Sequence, residues 1–320
     1  MKTKLKIRER LGMLIKSEIV ENIDISDREY KNNKGKYIIE KCSKNIFMLS
    51  ALISVVSLSL IIVFVFYKGL SPFLLKGYSF VDFIVGSEWV PSADSYGIAP
   101  MVVASIIATI GALIIGVPIG ILTAVFIAEI APNNVSKIIS PAVELLAGIP
   151  SVLYGIFGLA VIVPGIQNIF DLPKGQSVLA VILVLSIMML PTIVSVSETA
   201  IRAVPKAYKE GSLALGASKI ETIFKVILPS AKSGILAAVV LGIGRALGET
   251  MAVILVAGNS PVMPTSLTDS IRPLTTNIAL EMGYAYGTHQ EMLFATGVVL
   301  FTFILILNIV LNKVLNKVVD

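Results

Sequence analysis

The sequence predicts an all-α integral membrane protein with six transmembrane helices and both termini in the cytoplasm. Three observations predict it. Of 320 residues, 55% are hydrophobic and only 15% are charged, whereas soluble domains carry about 25% charged residues. Charge-free apolar runs are long enough to cross a bilayer as helices of about 20 residues, and none shows the period-two alternation of a membrane barrel. Basic residues are also segregated. Twelve Lys and Arg precede Asn45, one lies in the loop 129–137, six lie in 198–232 and two at the C-terminus, while the opposite side holds only Lys68, Lys76, Lys174 and Arg272. Lys and Arg concentrate on the cytoplasmic side, so the net charge of +5 reflects topology and requires no nucleic-acid surface.

The elements follow in order. Residues 1–44 form a charged cytoplasmic tail in which Ile7–Val20 has some helical amphipathicity, suited to a membrane surface or to a partly disordered terminus. No apolar run opens the chain, so Asn45–Tyr67 is expected to be a first span that stays in place. Residues 68–97 are extracytoplasmic and rich in aromatics, with Trp89 expected to anchor at the membrane interface. A core over 98–312 holds the remaining spans, within Ser95–Ala128, Leu145–Phe170, Gly175–Ser197, Ser233–Ala257 and Met292–Asn312. Residues 313–320 close the chain in the cytoplasm. Pro118, Pro150, Pro164 and Pro191 interrupt or end spans. Gly116 with Gly120 and Gly244 with Gly248 form GxxxG pairs, and Gly234, Ala238 and Gly242 continue a small stripe that permits close helix packing.

The span Ser233–Ala257 alone carries charge. Arg245 and Glu249 interrupt a stretch otherwise uncharged from Ser233 to Thr268. A charge at the centre of a membrane helix costs about 2.5–3.5 kcal/mol on insertion scales and marks an ion or substrate path when it persists. A guanidinium offers planar donors that match oxyanions. Glu249, at i+4, is expected on the same helix face, where it can neutralise and orient Arg245. The residues alone leave two readings open: a waypoint for an anion, or a structural pair locking this helix to a neighbour.

The cytoplasmic loop 198–232 reads as a helical hairpin. Pro205 suits a helix start, Tyr208 to Leu215 a short helix, and Gly216 its stop. Ser218 with Glu221 three residues on matches a capping box opening a second helix, and Pro229 marks entry into the next span. Gly211 and Ser212 give a low-profile knob suited to a groove on a partner.

This hairpin resembles the cytoplasmic signature of binding-protein-dependent ABC importer permeases: Glu-Ala-Ala, three residues, Gly, nine residues, Ile-x-Leu-Pro. Glu210, Gly216, Leu228 and Pro229 stand at the matching spacing, with Gly211, Ser212 and Val226 replacing two alanines and the isoleucine. Three further stretches, Val143–Leu159, Gly242–Asn259 and Thr275–Gly283, are similar to the permease subunits of phosphate ABC importers, PstC type, over about residues 70–312. The resemblance implies the type I ABC importer permease fold and a subunit of an ATP-driven inorganic phosphate importer. It implies that Arg245 and Glu249 line the translocation pathway, and that Tyr208, Glu210, Gly211, Ser212, Leu215, Gly216, Leu228 and Pro229 form the coupling helix that docks the ATPase. The implied partners are a second, PstA-like permease subunit, two PstB-like ATPase subunits and an extracytoplasmic PstS-like phosphate-binding protein. Other readings are an importer of another oxyanion such as molybdate or sulfate, an ion-coupled secondary transporter, and a non-transporting membrane scaffold.

No phosphate-cradling Gly-x-x-x-x-Gly-Lys-Ser/Thr loop occurs, and no nucleophile–base arrangement is visible, so the chain is expected not to be a catalyst itself. One cysteine, Cys42, and one histidine, His289, make a zinc site implausible; no metal or cofactor is expected. Cys42 is expected to be a free thiol, and His289 a solvated loop residue.

Overall fold

The computed structural model describes the backbone of residues 2–319 and the side chains of 38–310 and 313. The amphipathic stretch expected at Ile7–Val20 lies outside the described side chains, as does most of 313–320. The chain divides into two units, residues 1–64 and 65–320. Helix α1 (Lys2–Leu75) accounts for the first; its portion Ile38–Leu75 is long and apolar enough to cross a membrane. Cys42 is a free, exposed thiol.

The second unit opens with the end of α1, followed by the short α2 (Phe80–Val85) and a two-stranded antiparallel hairpin, β1 (Trp89–Val90) and β2 (Ser95–Tyr96), in which Trp89 pairs with Tyr96. Helix α3 (Ala99–Val125) runs on through a π-helical turn, Phe126–Ile130. Next come α4 (Asn133–Ala147), α5 (Ser151–Phe157), a second π turn (Gly158–Ile162) and α6 (Val163–Ile169). Helix α7 (Val178–Arg202) is central, with α3 and α11 packed against it. The hairpin follows: α8 (Lys206–Ala214), α9 (Lys219–Thr222), a third π turn (Ile223–Ile227) and α10 (Leu228–Ser230). Helices α11 (Lys232–Gly248), α12 (Met251–Val256), α13 (Leu274–Glu281) and α14 (Gly287–Val319) complete the chain.

Among the described residues, five helical stretches are long and apolar enough to span a membrane, and a sixth forms if Lys219–Ser230 and Lys232–Gly248, bent by 70°, count as one. One span agrees with expectation in detail and one differs. Within Leu145–Phe170 the stretch Ser151–Ile169 is long and apolar enough to span, as expected, and Gly148–Pro150 separates it from α4, which begins in the 129–137 loop. Proline at 150 removes the amide that would have continued the ladder. The run Ser233–Ala257 is broken at Glu249–Thr250. Pro229 also lies in α10, ahead of the 70° bend, and not at the entry to α11.

Close packing rests on small residues. On α3, Ala104, Ala108, Ala112, Gly116, Gly120 and Ala124 recur every fourth residue, and all are buried. That row lies on one helix face and lets the α7 backbone approach. A Cβ at Gly116 would meet Met189 Sδ at 2.7 Å, and one at Gly120 would meet Ile193 Cγ2 at 2.7 Å. On α11, Gly234 and Gly242 likewise press on Ala200 and on Ile193 and Met189. Gly244 and Gly248 do not share this role, for a Cβ added at either would meet no other element within 4 Å among the described residues. Their GxxxG spacing does not pack within this chain.

Ile193 is β-branched and cannot swing aside, so Gly120→Val should destabilise the detergent-purified chain by about 1–3 kcal/mol, the usual penalty of overpacking. Gly244→Ala should not destabilise it, since an added Cβ there is unopposed and alanine favours the helix. Thermal melting followed by tryptophan fluorescence checks both, and equal melting points for the two variants would contradict this packing.

Candidate functional site

Helix α11 carries Arg245 one turn before its end. The half-buried guanidinium donates from Nη1 to Thr192 Oγ1 of α7 at 3.1 Å. Thr192 lies 14 residues from the start of α7 and 10 from its end, roughly 21 and 15 Å at 1.5 Å per residue. Arg245 therefore sits near mid-membrane. Guanidinium has five N–H donors, and Thr192 takes one; among the described residues no carboxylate pairs with Arg245.

The expected pairing of Glu249 with Arg245 is not what the structure holds. The helix stops at Gly248, and Glu249 is extended (φ −71°, ψ 133°), so the i+4 relation that would align the two is lost. Glu249 instead serves the break. Its Oε1 accepts from the Ala252 amide at 3.0 Å, at the start of α12. Its carbonyl oxygen accepts from Thr275 Oγ1 of α13 at 2.9 Å. A carboxylate at a helix start satisfies an orphan amide and complements the dipole. Glu249 also borders a small cavity with Ser105 and Thr109 of α3 and Thr275. Sequence reading missed Thr192, Thr109 and Thr275. Thr192 carries a weak signal in following Pro191, whose ring opens the helix ladder.

The hairpin forms as the spacing predicts. Pro205 caps α8, Gly216 takes the left-handed φ of +88°, and Ser218 and Glu221 complete a reciprocal capping box. Tyr208, Glu210, Gly211 and Gly216 are exposed, and Leu215 is 91% exposed. Ser212 and Leu228 turn inward: Ser212 Oγ bonds Thr222 Oγ1 at 3.0 Å, and Leu228 packs on the core around Ile223 and Ile227. Pro229 is exposed next to the bend.

Two expectations for the outer side are corrected. Trp89 is not an interface anchor. It is only 5% exposed and donates from Nε1 to Glu281 Oε2 at 2.8 Å. His289 is not solvated either; its Nε2 lies 2.8 Å from the same oxygen. Arg272 donates to Glu281 Oε1 at 2.7 Å and to the Asn259 carbonyl at 2.8 Å. One carboxylate thus ties the β-hairpin, the 257–273 loop and α14 to the end of α13. That loop also covers the start of α7, where Val178 and Leu179 donate to the carbonyls of Asp269 and Leu267. The Asp269 carboxylate accepts from the amides of Thr265 and Ser266 and from the Thr265 hydroxyl. The Thr265 amide, then that of Ser266, holds its carboxyl below the ordinary aspartate range.

The chain is similar to known proteins. The family model for the binding-protein-dependent transport system inner membrane component matches residues 116–320. A probable ABC transporter permease protein, YqgH of Bacillus subtilis (strain 168), is 41% identical over 296 residues, covering 90% of this chain and 96% of that protein. The phosphate transport system permease protein PstC of Haemophilus influenzae is 36% identical over 249 residues, covering 71% and 79%. PstC of Pasteurella multocida is 33% identical over 289 residues, covering 84% and 89%. Among solved structures, a bacterial alginate ABC transporter aligns with a TM-score of 0.59 at 17% identity over 86% of this chain and 95% of its own. That likeness concerns the fold alone.

Because the folded Asp269 carboxyl is depressed, its contribution to the loop is present above the ordinary aspartate pKa and is lost as pH falls through the lower, folded value. Hydrogen exchange of the Thr265 and Ser266 amides, corrected for intrinsic pH dependence, should show that loss on acidification. In Asp269→Asn the protection should be weaker at neutral pH and insensitive to acid.

Proposed function

The chain belongs to the family of binding-protein-dependent transport system inner membrane components, and from that premise we propose that it is the permease subunit of an ATP-driven importer of inorganic phosphate. As a family member it is an inner-membrane permease of an ABC transporter. It works with another permease, with separate subunits that hydrolyse ATP and with a substrate-binding protein. The finer assignment, a PstA-like permease, two PstB-like ATPases and a PstS-like binding protein, draws support from relatives named as PstC.

The observation that carries the substrate is Arg245. A mid-membrane guanidinium held by one threonine hydroxyl keeps donors free for an oxyanion, and phosphate presents oxygens that a guanidinium meets in pairs. With no carboxylate neutralising it in this chain's described residues, a passing anion supplies the counter-charge. Glu249 acts beside the path by holding the helix break open and by placing negative charge near the anion. A waypoint that is attractive but not enclosed lets the ion leave again. On the cytoplasmic side, the exposed knob of Tyr208, Glu210, Gly211, Leu215 and Gly216 seats in an ATPase subunit. Ser212, Leu228 and Pro229 hold that knob at its angle.

Hydrogen bonds to a charged group contribute about 1.5–3 kcal/mol, so Arg245→Ala should cut phosphate uptake at least about tenfold with membrane abundance unchanged. Arg245→Lys keeps the charge but loses the planar fork and should recover part of the rate. Glu249→Gln preserves an acceptor for Ala252, so a loss of uptake there isolates the carboxylate's charge from its capping role. Wild-type uptake in all three variants would remove both residues from the path. Competition by molybdate and sulfate in the same assay tests the choice of oxyanion.

A further inference from the structure

The ATPase-docking reading says where force enters this chain; the structure also suggests where it goes. Helix α8 buries none of its own residues. A cleft of about 410 Å³ separates it from the inner ends of α3 and α7, lined by Glu129, Arg202, Pro205, Lys209 and Ile227 among others. Helix α8 itself buries no side chain against the spans, whereas the hairpin's other limb packs Ile223 and Ile227 with Val125 and Ile127 at the end of α3. Helix α8 touches one of the spans through charge. Lys209 Nζ of α8 lies 2.5 Å from Glu129 Oε2, and the Glu129 side chain is only 11% exposed. Among the described residues, the other side-chain hydrogen bond of α8, Ser212 to Thr222, stays inside the hairpin.

Glu129 occupies a responsive place. It belongs to the π turn Phe126–Ile130 that ends α3, closed by the Ala131 amide on the Phe126 carbonyl at 2.7 Å. Widened turns of this kind are rare and concentrate where helices must adjust. A second cation holds the same turn from α7: Arg202 Nη2 donates to the Ile127 carbonyl at 3.2 Å and to Ser136 Oγ at 2.7 Å, while its Nε pairs with Glu198 at 2.8 Å. Arg202 therefore fixes one side of the turn to α7 and α4, and Lys209 ties the other to the hairpin. About 30 Å further along α3 at 1.5 Å per residue, Thr109 borders the cavity shared with Glu249.

We propose that the Lys209–Glu129 ion pair passes displacement of α8 into the π turn that ends α3, alongside the apolar packing of the hairpin's other limb, making both residues positioning residues for transport. The inference rests on the reading that the hairpin docks an ATPase subunit. A nearly buried carboxylate tied to one ammonium transmits pull as well as push, which a packed apolar face does less well. The Arg202 side of the turn acts as the fixed point about which the α3 end moves.

The test uses the full chain assembled with its second permease and ATPase subunits in proteoliposomes. Phosphate transported per ATP hydrolysed is measured alongside co-purification of the ATPase subunits. Glu129→Gln and Lys209→Gln should both keep the ATPase subunits bound. Each should lower phosphate per ATP by at least about fivefold, the lower end of typical coupling between sites. The exchanged pair, Lys209→Glu with Glu129→Lys, should return the ratio to within about twofold of wild type, as expected when two residues act through each other. Wild-type phosphate per ATP in the single variants overturns the proposal. So does an exchanged pair no better than the singles, and so does loss of the ATPase subunits from either single, which would make the pair part of the docking contact. A separate arm tests the docking reading: Gly211→Arg should release the ATPase subunits, and their retention would sink that reading whatever the ion pair does.

Discussion

A helix that ends inside lipid leaves backbone groups with no water to satisfy them, and the end of α11 is where this chain meets that constraint. Three side chains meet it, two from the break itself and one from α13. Glu249 caps α12, Thr275 of α13 reaches the Glu249 carbonyl, and Thr250 Oγ1 turns back toward the Gly248 carbonyl at 3.4 Å. An acidic residue committed to a helix start is poorly placed to neutralise an arginine behind it. The position of α13, the separation of Arg245 from Glu249 and the free donors of the guanidinium all descend from that interruption.

Other polar side chains within the spans are dealt with more cheaply. Ser105, Thr109, Ser186, Thr296 and Thr302 each donate to the carbonyl four residues back on their own helix, a local solution that needs no partner helix. Two of them also reach another helix, Ser105 Oγ accepting from the Leu274 amide and Ser186 Oγ donating to the Ala112 carbonyl, while Thr192 accepts from a charged donor, Arg245. Hydroxyls are therefore abundant in the bundle without being functional, and the charged break stands out by contrast. Small residues on α3 supply the complementary condition. With α7 drawn in against Ala108, Ala112 and Gly116, the span carrying Thr192 is held firmly enough to fix one N–H of a flexible arginine.

What could be read from the sequence was local. The spans followed from charge-free runs, and the hairpin followed residue by residue because Pro205, Gly216 and the Ser218–Glu221 box each act within four residues. The i+4 relation of Arg245 and Glu249 failed for the opposite reason. Spacing assumes a continuous helix, and the interruption is held by Thr275, a residue 26 positions away. The same distance hid the partners of Trp89 and His289. A lone tryptophan near a span reads as an interface anchor until the fold brings Glu281, 192 residues later, beneath its indole. Lys209 and Glu129 are separated by 80 residues and carry no pattern that joins them. The Gly244–Gly248 motif was legible but misleading, since spacing states that a close approach is possible and not that one occurs within the chain.

Helix α13 is short, yet it is fastened at both ends to groups of different kinds. Near its first turn Thr275 holds the backbone at the mid-membrane interruption, and at its last residue Glu281 gathers an indole, a guanidinium and an imidazole from three other parts of the outer surface. A strut of about 12 Å clamped in this way behaves as a lever. Tilting the outer cap by a few degrees must shift the Glu249 carbonyl or break a bond to it. The geometry of the innermost polar site and the shape of the external face are then one mechanical variable, and mobility in the cap is limited by what the buried end tolerates.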